Sequence, residues 1–196
     1  MIKLGITGGI GSGKSIVSRI HQHLDYPVYI SDERAKQLMI SDQYIIESLT
    51  DLLGSKAYID GELNKACIGD FLFASSENGQ IINSIVHPRV RYDFENWCSH
   101  HQDKELVGFE SAILFEANFR DTVDKTLLVY APEETRISRA IARDNSTEEL
   151  IIKRMRAQAS DEWKRELADF VIINDNHKAL LPQVFHLLEN LLKSNK

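Results

Sequence analysis

Eight consecutive residues near the amino terminus have the types and spacing that phosphate chemistry needs. Gly8-Gly9-Ile10-Gly11-Ser12-Gly13-Lys14-Ser15 fits the pattern G-x-x-x-x-G-K-[ST], in which the backbone itself wraps a chain of phosphates. Glycines let successive N–H groups converge into an anion-binding concavity. A helix opening directly behind the loop adds unpartnered N–H groups and the positive end of its dipole. Lys14 would reach the β- and γ-phosphates as a point charge, and the Ser15 hydroxyl would ligate Mg²⁺. Gly9, Gly11, Ser12, Gly13, Lys14, Ser15 and the adjoining Ile16 are the candidate nucleotide-binding residues, with Ser15 the candidate metal ligand.

Such a loop works only between a strand and a helix. Ile2–Thr7 reads as a short buried strand, and Ser15–Leu24 as a helix with apolar Ile16, Val17, Ile20 and Leu24. Further strand-like runs are Val28–Ile30, Leu106–Ser111, Thr126–Tyr130 and Phe170–Ile173. Uninterrupted apolar runs such as Leu127-Leu128-Val129 and Val171-Ile172-Ile173 suit strands buried on both faces of a parallel sheet. Alternation of these runs with helical patterns predicts an α/β fold, a doubly wound five-stranded parallel sheet with helices on both faces.

Two stretches depart from that alternation. Residues 41–103 carry helical patterns at Asp42–Leu53, Asn64–Ala74 and Ile81–Trp97, the last interrupted or opened by Pro88, and no convincing strand. They are expected to form an acceptor-binding insertion, since substrate-binding parts sit at the carboxyl ends of parallel strands. Residues 132–166 are expected to form a helical lid. Pro132 with Glu133 and Glu134 reads as a helix start. Arg136, Arg139 and Arg143 follow at spacings that place them on one stripe. Ser146-Thr147-Glu148-Glu149 then opens a second helix carrying Lys153, Arg154 and Arg156. The nucleotide-binding core is left with residues 1–40, 104–131 and 167–196. It closes on a helix over His177–Leu192 whose Leu180, Leu181, Val184, Leu187, Leu188 and Leu191 are expected in the core.

Asp32 follows the second strand, where a carboxylate could take a proton from an attacking hydroxyl, a role worth about 10²–10⁴-fold. It could equally cap a helix starting at Glu33. The arginine stripe could close over a transferring phosphoryl group or be a solvated helix face. His87-Pro88-Arg89 could contact a substrate or simply mark a kink. Glu110, ending the third strand, could hold Mg²⁺ through water or be a solvated strand end.

Bulk properties exclude several classes. The chain has 196 residues, 43% hydrophobic and 27% charged, a net charge of −6 and a pI near 5.6. An acidic chain is a poor general nucleic-acid binder. No apolar run is long enough to span a bilayer. Cys67 and Cys98 have no metal-like spacing and suit reduced thiols. With a strand at the amino terminus where a secretory signal would lie, these features lead us to expect a cytoplasmic protein without nucleic-acid or membrane partners.

Taken together, the motifs resemble the dephospho-coenzyme A kinase family. The matching elements are Ile6 to Ser15, Asp32, Val86-His87-Pro88, Ala112-Ile113-Leu114-Phe115-Glu116, Arg139, Arg143-Asp144, Arg154-Met155 with Gln158, and Val171-Ile172-Ile173-Asn174, in the family's order. The resemblance implies a nucleotide-binding core, a helical coenzyme-A-binding insertion and a lid. It also implies ATP- and Mg²⁺-dependent phosphorylation of the ribose 3′-hydroxyl of dephospho-CoA. It assigns the catalytic base to Asp32, catalytic roles to Lys14 and Arg139, and acceptor contacts to Asp32, His87, Pro88 and Arg139. Arg143 and Asn174 join the nucleotide-binding candidates. Ile30 stands where the family has a first acid, Ile16 where it has threonine, and Ala112 where it has proline. A monomer or weak homo-oligomer is expected. Another small-molecule kinase on the same core is the alternative. A nucleotide switch fits less well: Asn174-Asp175-Asn176-His177 comes nearest to a guanine-reading Asn-Lys-x-Asp element and lacks the lysine.

Overall fold

The computed structural model describes residues 1–193. They form two compact units, residues 1–30 with 101–193 and Ser31–His100.

The first unit is built on five parallel strands: β1 (Ile2–Thr7), β2 (Val28–Ile30), β5 (Leu106–Glu110), β6 (Lys125–Tyr130) and β7 (Phe170–Ile173), in the order β2-β5-β1-β6-β7. Leu127-Leu128-Val129 lies in β6, between β1 and β7, and is buried from both sides, whereas Val171-Ile172-Ile173 lies in the edge strand β7, where only Ile172 is buried and its neighbours are half-buried. Leu4, Ile6, Leu127, Leu128 and Val129 expose no surface. One face is covered by α1 (Lys14–His23) and α9 (Leu180–Lys193). Val17, Val184, Leu187, Leu188 and Leu191 close there over Leu4, Ile6, Leu127 and Val129. The other face meets the segment after β5. Phe109 stacks on Tyr29 and packs against Phe119, while Phe115 meets Trp163 of α8 (Asp161–Leu167) edge-on. Between β6 and α8 run α6 (Glu133–Asp144) and α7 (Glu148–Arg156), the latter capped by Thr147, whose hydroxyl accepts from Leu150 N. The strand order reverses at β1, so the loop leaving β1 stands at the switch point where α/β sheets bind ligands.

Several boundaries move for identifiable reasons. Pro132 is the N-cap of α6 rather than its first residue. α9 opens at Leu180, not His177, because the Asp175 carboxylate accepts from the His177 and Lys178 amides and turns the chain first. Leu181, expected in the core, is 52% exposed and shares an exposed stripe with Phe185. Ile16 is likewise exposed, whereas Val17 beside it is buried. Helix α8 had no counterpart in the sequence reading, although Ser160-Asp161-Glu162 is a helix-start pattern and Ser160 Oγ accepts from Trp163 N.

The second unit comprises α2 (Ser31–Ser41), α3 (Gln43–Leu53), a 3₁₀ turn (Ser55–Ala57), α4 (Lys65–Ala74) and α5 (Ser76–Ser99). It also holds a small antiparallel hairpin, β3 (Tyr58–Ile59) with β4 (Glu62–Leu63), where no strand was expected. Its turn is Asp60-Gly61, both residues at positive φ, which is the residue pair such turns select. Strands of two residues are too short to show in an apolar pattern. Pro88 neither opens nor ends α5, which runs unbroken from Ser76 to Ser99. Ile82, Val86, Val90, Phe94 and Cys98 recur every four residues and are all at least 93% buried. Burial of such side chains is worth about 1.5–3 kcal/mol each, enough to offset the roughly 3 kcal/mol a mid-helix proline costs.

Candidate active site

The loop between β1 and α1 is shaped by two glycines that no other residue could replace comfortably. Gly11 and Gly13 have φ of +77° and +95°, the left-handed region that side chains avoid. Gly13 is also the N-cap of α1, its carbonyl accepting from Ile16 N (3.0 Å) and Val17 N (3.3 Å). The first amides of α1, at Lys14 and Ser15, have no carbonyl one turn earlier within the helix. They open the helix where its dipole is positive, the arrangement that binds anions. Lys14 Nζ donates to Gly8 O (2.8 Å) and Gly9 O (3.4 Å), so the ammonium is held over the loop. Ser15 is exposed at the start of the helix, and Ser12 is fully buried with its hydroxyl unpartnered.

Three elements clamp the loop from outside. Asn174, at the end of β7 and 6% exposed, donates from Nδ2 to Ser12 O at 2.8 Å. Arg139 of α6 reaches Gly11 O (3.5 Å) through Nη1 and Asn174 Oδ1 (3.3 Å) through Nη2, and also donates to Asn176. Gln158, between α7 and α8, accepts from Ile10 N at 3.0 Å. Arg136 and Arg139 therefore both meet the loop, since the Arg136 main chain fills the space beside Gly11. Arg143 goes elsewhere. It donates to Asp144 (2.7 Å), which also accepts from Arg154 at 2.7 Å. These two guanidiniums hold the Asp144 carboxyl down at about 2.

Behind the clamp lies a buried charge network that the sequence reading passed over. Lys164 exposes no surface and its Nζ lies 2.8 Å from Glu116 Oε1 and 3.2 Å from Ala112 O. Glu116 Oε1 also accepts from Ala159 N (3.1 Å). The Ala112–Glu116 segment is thereby tied to the start of α8. Arg136 pairs with Asp161 at 3.0 Å, both nearly buried. Neither lysine nor aspartate betrays burial by type, because charged residues are usually exposed. The one sequence signal was the motif around Glu116.

The second unit carries the remaining candidates. Asp32 lies in the first turn of α2, one residue inside the helix rather than capping it, and is exposed. An acid there is favoured by the helix dipole. His87 is half-buried in α5 and Pro88 exposed. Burial, then the nearby Arg91 charge, keep the imidazole pKa below its ordinary value. Arg34 of α2 grips Asp93 of α5 through two nitrogens (2.7 and 3.0 Å). Arg89 grips Asp42 in the same way (2.7 and 2.9 Å), with its guanidinium 4.9 Å from the Tyr92 ring centroid. These pairs orient the helices that bear Asp32 and His87.

A phosphate-binding loop with a charged clamp fits many enzymes, and comparison with known proteins decides among them. The family profile described as Dephospho-CoA kinase matches residues 2–179. The chain belongs to the dephospho-CoA kinase family. A Bacteroides fragilis dephospho-CoA kinase is 49% identical over 187 residues, covering 95% of this chain and 91% of its own. One from Porphyromonas gingivalis is 41% identical over 192 residues, covering 97% and 95%. A crystal structure from Thermus thermophilus superposes with a TM-score of 0.82 at 31% identity, covering all of this chain and 98% of its own. Membership makes the protein a kinase. Among the described residues, no helix is long and apolar enough to cross a membrane.

Magnesium fits the donors present. Ser15 at the start of α1 and Glu110, 8% exposed at the end of β5, offer hard oxygens. No group of three or more His, Cys, Asp or Glu among the described residues could form a cage. Few protein oxygens completed by phosphates and waters is how Mg²⁺ is usually held.

Proposed function

We propose that the protein transfers the γ-phosphoryl group of ATP to the ribose 3′-hydroxyl of dephospho-CoA, completing coenzyme A. The observation that carries this reading is the loop from Gly8 to Ser15, clamped by Arg139, Asn174 and Gln158, in a chain matched to the family over residues 2–179.

In this mechanism the loop amides and the first amides of α1 receive the β- and γ-phosphate oxygens. Lys14 Nζ exchanges the Gly8 and Gly9 carbonyls for phosphate oxygens, which reward a cation more strongly than neutral carbonyls do. Ser15, with Glu110 acting through water, would hold Mg²⁺, which supplies charge neutralisation at the β- and γ-phosphates. Asp32 accepts the proton from the 3′-hydroxyl as that oxygen bonds to the γ-phosphorus. The bond from the γ-phosphorus to the bridging oxygen breaks, and ADP leaves with the electron pair. Arg139 steadies the charge on the moving phosphoryl group, while Arg143 stays paired with Asp144. His87 and Pro88 contact the acceptor. The reading includes a cytoplasmic location and a monomer or weak homo-oligomer.

A side-by-side assay of dephospho-CoA, adenosine and nucleoside monophosphates, with ADP formation as the readout, tests the acceptor. Rapid ADP formation is expected with dephospho-CoA alone. Preference for a nucleoside or nucleotide would assign the same core to another small-molecule kinase reaction.

A further inference from the structure

The mechanism above leaves one buried charged pair beside the loop unused. Arg136 Nη2 lies 3.0 Å from Asp161 Oδ2, and the two side chains are 12% and 7% exposed. Both rest on the nucleotide loop. A methyl group at Gly9 would run into Arg136 Nη1 and come 3.1 Å from Asp161 Oδ1. The pair lines a cavity of about 240 Å³ with Tyr130, Gln158 and Ser160. Arg136 Nε is buried and has no hydrogen-bond partner.

That last observation is the informative one. Buried donors are almost always satisfied, and leaving one unmade costs about 1–3 kcal/mol. A guanidinium held by one carboxylate, with a buried donor to spare and a face on a phosphate-binding loop, lacks an anionic acceptor. Its planar fork suits phosphate oxygens. Asp161 is suited to aim it, being the first residue of α8 after the Ser160 cap, so its backbone position is fixed. Burial pushes the Asp161 carboxyl up, while the Arg136, Lys164 and Lys14 charges pull it back down and Glu162 adds to the rise.

We propose that Asp161 is a positioning residue that holds the Arg136 guanidinium over Gly9, where its remaining donors contact the triphosphate of the bound nucleotide. The proposal rests on the kinase reading of the loop but not on the identity of the acceptor. Asp161 itself touches no substrate. It acts through Arg136, so its effect vanishes when Arg136 is gone.

The test uses the full chain with Asp161→Asn, Arg136→Ala and the double variant, each checked for an unchanged melting profile. Calorimetric ATP affinity and steady-state kcat/KM for ATP are read together with KM for dephospho-CoA. Arg136→Ala is expected to lower kcat/KM for ATP about 10²-fold, the scale at which misplacing a reacting group is felt. Asp161→Asn is expected to lower it about 10-fold through lost alignment. The double variant should be no worse than Arg136→Ala, with KM for dephospho-CoA unmoved throughout. Losses that multiply, an Asp161→Asn enzyme with wild-type or improved ATP parameters, or an equal rise in KM for dephospho-CoA would overturn the proposal. Should Asp161→Asn fail to fold, Arg136→Lys keeps the charge and removes the fork. It must then weaken ATP use selectively, and wild-type ATP affinity in that variant overturns the proposal. ATP affinity needs no acceptor, so a wild-type enzyme inactive on dephospho-CoA would sink the acceptor assignment while leaving this test intact.

Discussion

The two units of the chain carry their chemistry in opposite ways. In the sheet unit the candidate residues are built in. The loop is gripped from β7, α6 and the α7–α8 junction, and buried pairs stand behind it. In the helical unit the candidates lie near the surface. Asp32 and Pro88 are exposed, and the pairs that orient their helices, Arg34–Asp93 and Arg89–Asp42, are partly solvated. Donor phosphates are the same for every kinase of this kind, and a preorganised cradle avoids reorganisation during reaction. An acceptor is particular, and surface side chains can be exchanged without disturbing a core. The difference teaches that the architecture of the candidate site and fold stability are one property in the first unit and two separable properties in the second.

The largest effect that would test this contrast is on the donor side. Arg139→Ala should lower kcat by about 10³-fold, the lower end of what a phosphoryl-stabilising arginine contributes, as measured by ADP release under saturating substrates. It should also loosen Asn174, shown by weaker ATP affinity. Asp32→Asn comes next. A loss of at least about 10²-fold in kcat is expected with ATP affinity and melting temperature unchanged, because the side chain is exposed. Near-normal turnover would remove Asp32 from the base role.

Stability should divide the same way. Leu127→Ala, at a fully buried site in the sheet, should cost about 2–5 kcal/mol in denaturant unfolding. Arg89→Ala should cost no more than about 1 kcal/mol, since partly solvated pairs contribute little. Equal losses would erase the contrast between the units.

The smallest expected effect is on pH. His21 in α1 is buried with Nδ1 2.9 Å from Val17 O, and burial holds its pKa below 6.5 despite that bond. The unfolded chain binds the proton more readily, so the contribution of His21 to stability is fully present above pH 6.5 and is lost as pH drops below it. His21→Leu should flatten that acid limb in unfolding titrations from pH 7.5 to 5, leaving the same-signed contribution of His87.

The sheet was legible because uninterrupted apolar runs bounded by turn residues mark strands: Leu127-Leu128-Val129 is fully buried, and Val171-Ile172-Ile173 is a strand too, although at the sheet edge it is only partly buried. The loop was legible because glycine spacing encodes backbone shape directly. What stayed hidden depends on contacts far apart in the chain. Lys164 and Asp161 read as surface charges until Glu116 and Arg136 are brought to them. Pro88 reads as a break because a local rule ignores the buried stripe from Ile82 to Cys98. The Asp60-Gly61 hairpin did carry a local sign, but its strands are too short for periodicity to register.

The most direct measurement follows ATP and dephospho-CoA together by phosphorus NMR and mass spectrometry of the products. One ADP formed per acceptor consumed, with the new phosphate on the ribose 3′-oxygen and no ADP formed without dephospho-CoA, is the expected result. ADP formation that does not depend on dephospho-CoA, or a phosphate placed on any other oxygen, would contradict the kinase reading.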